Sequence, residues 1–124
     1  MATILIVEDS PDNMKLFRTL LTLRHHAVTG LVSGEGLLTA IEQAQPALVL
    51  MDIQLPGISG IEALKRLRAV PATASIPVIA VTASVMASDR RNITDAGFDG
   101  YVGKPLNLRE FLDAVAGAIG PAGA

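Results

Sequence analysis

The sequence predicts an α/β domain in which helices cover both faces of a five-stranded parallel sheet. Two observations lead to this prediction. Short runs rich in Val, Ile and Leu alternate with helical patterns along the 124 residues, and such alternation is typical of βα units. The first, third and fourth runs are apolar at nearly every position, as expected of strands that are buried on both faces of a parallel sheet.

Five strands follow from these runs. Each run is short, rich in aliphatic residues and bounded by polar or turn-forming residues. The predicted strands are TILIV at 3–7, AVTGLV at 27–32, ALVLM at 47–51, PVIAV at 77–81 and GYV at 100–102.

Five helices are predicted in the intervals, because apolar residues recur there with helical spacing. Ser10 before Pro11 is typical of a helix start, and so is Asn107 with Glu110 three residues later. Gly97 is suited to end the fourth helix. The helical patterns cover residues 14–23, 37–44, 61–67, 84–97 and 108–119.

Strict alternation with right-handed crossovers gives a doubly wound sheet, most simply with the strand order 2-1-3-4-5. This is the flavodoxin-like (βα)5 arrangement. The pattern contains no internal linker and no repeat, so it predicts one domain over residues 1–124.

Composition narrows the classes of function. The formal net charge is -2, which does not favour nucleic acid or an anionic membrane as a partner. Aromatic residues make up 3% of the chain, which is few for a flavin site or a stacking surface. The chain has no cysteine, and its apolar start is too short for a signal peptide, so we expect a cytoplasmic protein.

Polar residues follow four of the five predicted strands. Glu8 and Asp9 follow the first, Asp52 the third, Thr82 the fourth and Lys104 the fifth. The carboxyl ends of parallel strands lie along one edge of the sheet, where ligands of such folds bind. Taken singly, each residue has a simpler interpretation as a turn former, a helix cap or a solvated side chain. Their coincidence at one edge predicts a site.

The residue types at this edge suit phosphoryl transfer. Carboxylates that lie close together repel one another and favour a bound cation, and an all-oxygen set suits Mg²⁺. One carboxylate is then able to attack a phosphoryl group and form an aspartyl phosphate. A lysine and a hydroxyl stabilise charge on the transferred oxygens.

The chain resembles response-regulator receiver domains over about its whole length, through IVED, LMDIQLPGISG, VTA and YVGKP. The residues of these motifs are most similar to those of stand-alone, single-domain receivers of the DivK or CheY kind. The resemblance implies that Asp52 is the phosphoacceptor and that Asp9 and Asp52 bind Mg²⁺ directly. It also implies that Glu8 acts through water and that the backbone carbonyl of Gln54 is a further ligand.

The same resemblance assigns the remaining motif residues. Thr82 corresponds to the switch hydroxyl, Lys104 to the lysine that pairs with the phosphoryl group, and Tyr101 to the aromatic residue that turns inward when the threonine moves. Pro105 follows the lysine as in the family. Gln54 and Ser84 correspond to positions that flank the path of attacking water, so we expect them to influence the lifetime of the phosphoryl group.

The resemblance implies a histidine kinase or a histidine phosphotransfer protein as the phosphoryl donor. A downstream protein is expected to read the switch on helix four, strand five and helix five, with Arg90 and Arg91 on the basic part of that face. No nucleic acid or membrane partner is expected. Transfer to Asp52 and hydrolysis from it would be the only reactions, so we expect no ordinary turnover enzyme.

Other classes of protein fit less well. A P-loop nucleotidase needs GxxxxGK[ST], which the sequence lacks. A phosphatase with an aspartyl nucleophile would carry a second Asp where Gln54 stands and would need a cap domain. Two alternatives stay open, namely a phosphorylation-independent interaction module on this fold and a receiver excised from a hybrid histidine kinase.

His25 and His26 also invite a metal or phosphohistidine interpretation. Neighbouring residues on a helix point in different directions and chelate poorly. We expect instead a favourable placement of charge and polarity at the C-terminus of the first helix.

Overall fold

A computed structural model describes residues 2–53, 57–82, 91, 93, 95–103 and 107–119. In this part of the chain, five strands and four helices have defined bounds. The strands are β1 (Thr3–Val7), β2 (Ala27–Leu31), β3 (Leu48–Asp52), β4 (Val78–Thr82) and β5 (Gly100–Gly103), and the helices are α1 (Pro11–Leu23), α2 (Leu37–Ala44), α3 (Gly60–Ala69) and α4 (Leu108–Ile119).

The strands form one parallel sheet in the order β2-β1-β3-β4-β5. The predicted fold class and strand order are therefore confirmed. The described part of the predicted fourth helix agrees as well, because residues 91, 93, 95 and 96 are helical. The rest of that predicted helix lies outside the described residues.

Alternate residues of the inner strands supply two separate cores, one on each face of the sheet. Phe17 of α1 and Phe111 of α4 stack with ring centroids 5.4 Å apart over one face. On the other face, α2 and α3 pack with Ile93 and Phe98. Every residue of β3 is buried, which explains why this strand is apolar until Asp52 at its carboxyl end.

The helix starts follow the expected capping chemistry. The Ser10 hydroxyl accepts a hydrogen bond from the backbone N–H of Asn13 at 3.4 Å, and Pro11 occupies the first helical position. The side-chain oxygen of Asn107 accepts one from the N–H of Glu110 at 3.0 Å. Both predicted caps are therefore confirmed, and each fixes where a helix leaves the carboxyl edge of the sheet.

The end of α1 is a Schellman motif, in which the chain reverses through a left-handed residue. The N–H of His26 donates to the Leu21 carbonyl at 3.1 Å, and the N–H of His25 donates to the Thr22 carbonyl at 2.9 Å. His25 has φ +65°. The predicted position of both histidines at the helix C-terminus is confirmed.

Candidate functional site

The register of the sheet places Glu8 and Asp52 side by side. Val7 pairs with Met51 across β1 and β3, so the residues that follow them meet at the carboxyl edge. Asp52 also pairs with Val81 of β4. Glu8 and Asp52 are buried, with exposed fractions of 1% and 5%.

Three carboxylates converge at this point. Glu8, Asp9 and Asp52 each offer an oxygen that lies within 4.8 Å of the others, and Asp9 is exposed while the other two are buried. Anionic groups at such spacing repel one another in a partly dry environment, and a cation removes the repulsion. Hard oxygen donors with one side open to water fit Mg²⁺, which keeps part of its hydration shell. The predicted convergence of these three residues is confirmed.

Backbone contacts fix the acidic segment after β1. The N–H of Glu8 donates to the Leu31 carbonyl of β2 at 2.9 Å. One carboxylate oxygen of Glu8 accepts a hydrogen bond from the Ser10 N–H at 3.2 Å. Ser10 is also the cap of α1, so the same short turn positions the Glu8 carboxylate and starts the helix.

Gly60, at the start of α3, packs against the backbone of Asp52 and Ile53. The sequence did not predict this contact. The N–H of Gly60 donates to the Ile53 carbonyl at 2.8 Å, which holds the start of α3 against the end of β3. A Cβ at this position would collide with the carbonyl oxygen of Asp52. In the sequence, PGISG signals a turn, but nothing local reveals that this particular glycine contacts the strand.

An open groove of about 410 Å³ adjoins the carboxylates. Glu8 and Asp9 line it together with residues of α1, among them Met14, Lys15 and Arg18. The groove therefore lies between the acidic turn after β1 and the first turns of α1.

The structure describes the other predicted site residues only in part. Thr82 ends β4 and its backbone pairs with Gly103 of β5. Tyr101 pairs with Ala80 and is 38% exposed. The side chain of Thr82 lies outside the described residues, as do Gln54, Ser84, Arg90, Lys104 and Pro105 entirely.

The model of the response regulator receiver domain family matches residues 4–116. The chain belongs to this family. A receiver domain with these three carboxylates at the carboxyl edge is the signalling module of two-component systems, and the family implies phosphorylation on an aspartate.

Curated relatives match the receiver almost end to end. The polar-differentiation response regulator DivK of Brucella ovis is 38% identical over 120 residues, which cover 97% of this chain and 98% of the relative. DivK of Brucella anthropi matches over the same share of both chains, also at 38% identity. The predicted similarity to DivK is confirmed.

Solved receiver structures agree with the fold and the site. A response regulator of Chloroflexus aurantiacus superimposes with a TM-score of 0.90 at 30% identity, covering 95% of this chain and 97% of that one. The receiver domain of a sensor histidine kinase of Pseudomonas aeruginosa gives a TM-score of 0.87 at 30% identity, with the same coverage. That structure holds a magnesium ion in its active-site cleft.

No helix in the described part of the chain combines the length and the apolar character that a membrane span requires.

Proposed function

We propose that this receiver accepts a phosphoryl group on Asp52 with the help of Mg²⁺. The observation that carries the proposal is the convergence of Glu8, Asp9 and Asp52 within 4.8 Å at the end of a fully buried strand. In the proposed step, an Oδ atom of Asp52 forms a bond to phosphorus. The bond from phosphorus to the imidazole nitrogen of a phosphohistidine donor breaks, and its electron pair stays on that nitrogen.

The proposed metal ligands are these three residues and one backbone carbonyl. We assign Asp9 and Asp52 as direct ligands and Glu8 as a ligand through water, with the backbone carbonyl of Gln54 completing the protein's share. Bound Mg²⁺ would supply positive charge to the phosphoryl oxygens. The turn from Glu8 to Ser10 fits this role, because its hydrogen bonds fix Glu8 before any ligand arrives.

The switch in this proposal consists of Thr82, Lys104 and Tyr101. Lys104 pairs with the phosphoryl group, Thr82 moves toward it, and Tyr101 turns inward from its present exposure of 38%. The downstream protein binds the face formed by residues 84–97, β5 and α4. This face includes Arg90 and Arg91. A histidine kinase or phosphotransfer protein is the donor and a downstream protein is the target, with neither nucleic acid nor membrane involved.

The proposal extends to the limits of the module. It treats residues 1–124 as one receiver domain and places the exchange in the cytoplasm. Transfer to Asp52 and hydrolysis from it are its only reactions, so the protein acts as a signalling switch and not as a turnover enzyme.

Mass spectrometry of the intact protein tests the phosphoacceptor. The chain is incubated with a small phosphodonor, with and without Mg²⁺, and compared with Asp52→Ala. Asp12→Asn is the matched control, because Asp12 is an acid in the first turn of α1 outside the three-carboxylate cluster. We expect one added phosphoryl group in the wild type and the control, only with Mg²⁺, and none in Asp52→Ala.

Phosphorylation of Asp52→Ala to the wild-type level would contradict the assignment of Asp52. No phosphorylation of the wild type in the presence of Mg²⁺ would favour the alternative function, a phosphorylation-independent interaction module on this fold. An excised domain of a hybrid histidine kinase would be phosphorylated as the proposal predicts, and only the donor would differ.

Tyrosine fluorescence tests the switch. Tyr101 is the sole tyrosine and the chain has no tryptophan, so emission reports on this ring alone. We expect acrylamide to quench it less after phosphorylation, because the ring becomes less exposed. The variant Thr82→Ala should be phosphorylated and yet lose this change. Equal quenching of both states of the wild type would contradict the inward movement of Tyr101.

A further inference from the structure

A single arginine joins three segments at the edge of the sheet opposite the carboxylates. Arg68 lies in the last turn of α3, and its side chain is 24% exposed. One guanidinium nitrogen donates to the carbonyls of Ala74 and Ile76, at 2.9 and 2.5 Å. The other donates to the Gly97 carbonyl at 3.1 Å and to Oδ2 of Asp99 at 2.8 Å.

Asp99 carries the connection into β4. Its Oδ2 atom accepts a second hydrogen bond, from the Val78 N–H at 2.8 Å. Its own N–H donates to the Val78 carbonyl, also at 2.8 Å. The first residue of β4 is therefore held on both sides by the residue that precedes β5.

The hydrogen bond from Arg68 to the Gly97 carbonyl depends on an unusual backbone conformation at Gly97. Gly97 has φ +107°, a value that residues with a Cβ rarely adopt. The following N–H, of Phe98, donates to the Ile93 carbonyl at 3.4 Å. Because Ile93 and Phe98 are both buried, the turn that offers its carbonyl to Arg68 is fixed to the core.

The contacts of Arg68 and Asp99 lie at the amino ends of β4 and β5, far from the carboxylates at the carboxyl edge of the sheet. Val78 and Thr82 begin and end β4, and a rise of about 3.3 Å per residue separates their Cα atoms by about 13 Å. The residues of β4 from Val78 to Val81 are buried. Asp99 immediately precedes β5, which contains Tyr101. Arg68 thus fixes the amino ends of the two strands that carry the proposed switch residues.

We infer that Arg68 is a positioning residue for the phosphorylation switch. It holds the amino ends of β4 and β5 and the turn at Gly97 in place. Because these ends stay fixed, a displacement of Thr82 at the opposite edge is transmitted to Tyr101. Without this anchor, the same displacement is absorbed by loosening of the segment 95–103. The inference rests on the proposed function of Asp52, Thr82 and Tyr101.

The chemistry of the anchor requires arginine. The planar guanidinium donates in several fixed directions at once and so serves carbonyls from two connections together with a carboxylate. A lysine keeps the charge but presents a single nitrogen, so it cannot span the acceptors in the α3–β4 connection and those at Gly97 and Asp99 together. Arg68→Lys therefore separates the geometry of the anchor from its charge.

The experiment compares four variants with the wild type. Arg68→Gln and Arg68→Lys remove the anchor, and Arg66→Gln is the matched control, because Arg66 is exposed in the same last turn of α3. Leu21→Ala, in the core beneath α1, is the control for a general loss of stability. Two quantities are measured, namely amide hydrogen exchange of residues 95–103 without phosphodonor and the change of Tyr101 quenching on phosphorylation.

We expect both Arg68 variants to exchange the 95–103 amides at least ten-fold faster, while β1 and β3 keep their protection. They should still gain one phosphoryl group on Asp52 and lose at least half of the quenching change at Tyr101. Arg66→Gln should match the wild type in both measurements. Leu21→Ala should keep the quenching change in its folded fraction.

Three results would overturn the inference. These are an unchanged quenching response in both Arg68 variants, an equal loss of that response in Leu21→Ala, and unchanged exchange of the 95–103 amides. Failure of the proposed function gives a different pattern, in which the wild type itself is not phosphorylated. The exchange measurement needs no phosphoryl group, so it tests the anchor even then.

Discussion

Gly60 lies so close to the end of β3 that a side chain has no room there. An added Cβ would lie 2.8 Å from the Cα of Ile53 and would collide with the carbonyl oxygen of Asp52. Both are backbone atoms and cannot rotate away. We expect Gly60→Ala to lower the free energy of unfolding by about 2 kcal/mol and to slow phosphorylation of Asp52, measured by urea unfolding and by intact mass.

The matched control is the same substitution at Gly117. This glycine lies inside α4, and a Cβ there meets no atom within 4 Å. Alanine loses less backbone entropy than glycine when a helix forms, so Gly117→Ala should raise the free energy of unfolding by ~0.5–1 kcal/mol. If both substitutions changed stability in the same direction, the close approach at Gly60 would not be the cause.

His26 makes stability depend on pH. Burial lowers the pKa of His26, and positive charge at the N-terminus of the chain and at Arg24 lowers it further. Its Nδ1 atom accepts a hydrogen bond from the Ala2 N–H at 3.2 Å, which requires that this nitrogen carries no proton. The expected favourable charge at the end of α1 is therefore wrong for His26, which acts there as a neutral acceptor.

The direction of the pH effect follows from this state. Below about pH 6.5, the ordinary pKa of histidine, the unfolded chain takes up a proton that folded His26 resists. The free energy of unfolding should therefore fall as the pH drops from 6.5 toward the lower pKa of the folded state. His26→Gln should reduce that slope, as measured by urea unfolding at several pH values. An identical slope in both proteins would contradict this role of His26.

At the scale of the elements, two helices are followed by non-glycine residues in the left-handed backbone conformation, which is sterically strained for residues with a Cβ. His25 after α1 has φ +65°, and Gln45 after α2 has φ +47°. Glycine adopts such angles without steric strain. We expect His25→Gly and Gln45→Gly each to raise the free energy of unfolding by about 1 kcal/mol, measured by thermal or urea unfolding. The same substitution within regular helix, at Thr19 of α1, should instead lower it by about 0.5 kcal/mol.

The elements themselves were predictable because their signals are local. Apolar runs and caps gave every described strand and helix within a few residues of its observed bounds, including α2 at Leu37–Ala44. The carboxylates were predictable too, because parallel strands bring their ends to one edge. Gly60 and Arg68 were not, since their roles depend on contacts with Asp52 and Asp99 that no local pattern encodes.

The whole molecule separates two tasks at opposite edges of one sheet. The carboxyl edge collects acidic groups that repel one another, and the amino edge holds β4 and β5 through Arg68. The buried strands between the edges form two tightly packed cores. Such interiors transmit displacement because they deform little. A ligand at the carboxyl edge should therefore change the stability of the entire domain and not only that of the loops around it.

Magnesium provides the direct test of that coupling. An ion that binds the folded state alone stabilises it by about 2.7 kcal/mol at a hundred-fold excess over its Kd, which raises the Tm by roughly 10 °C for a domain of this size. Without Mg²⁺, Asp52→Asn should be more stable than the wild type, because one of three neighbouring negative charges is gone.

With Mg²⁺, the order should reverse, because the variant has lost a ligand and gains less from the ion. Asp12→Asn is the control for a general effect of net charge, since Asp12 lies in the first turn of α1 outside the cluster. It should respond to Mg²⁺ as the wild type does. Thermal unfolding with and without Mg²⁺ measures all three proteins, and an equal rise of Tm in Asp52→Asn and the wild type would show that Asp52 does not hold the ion.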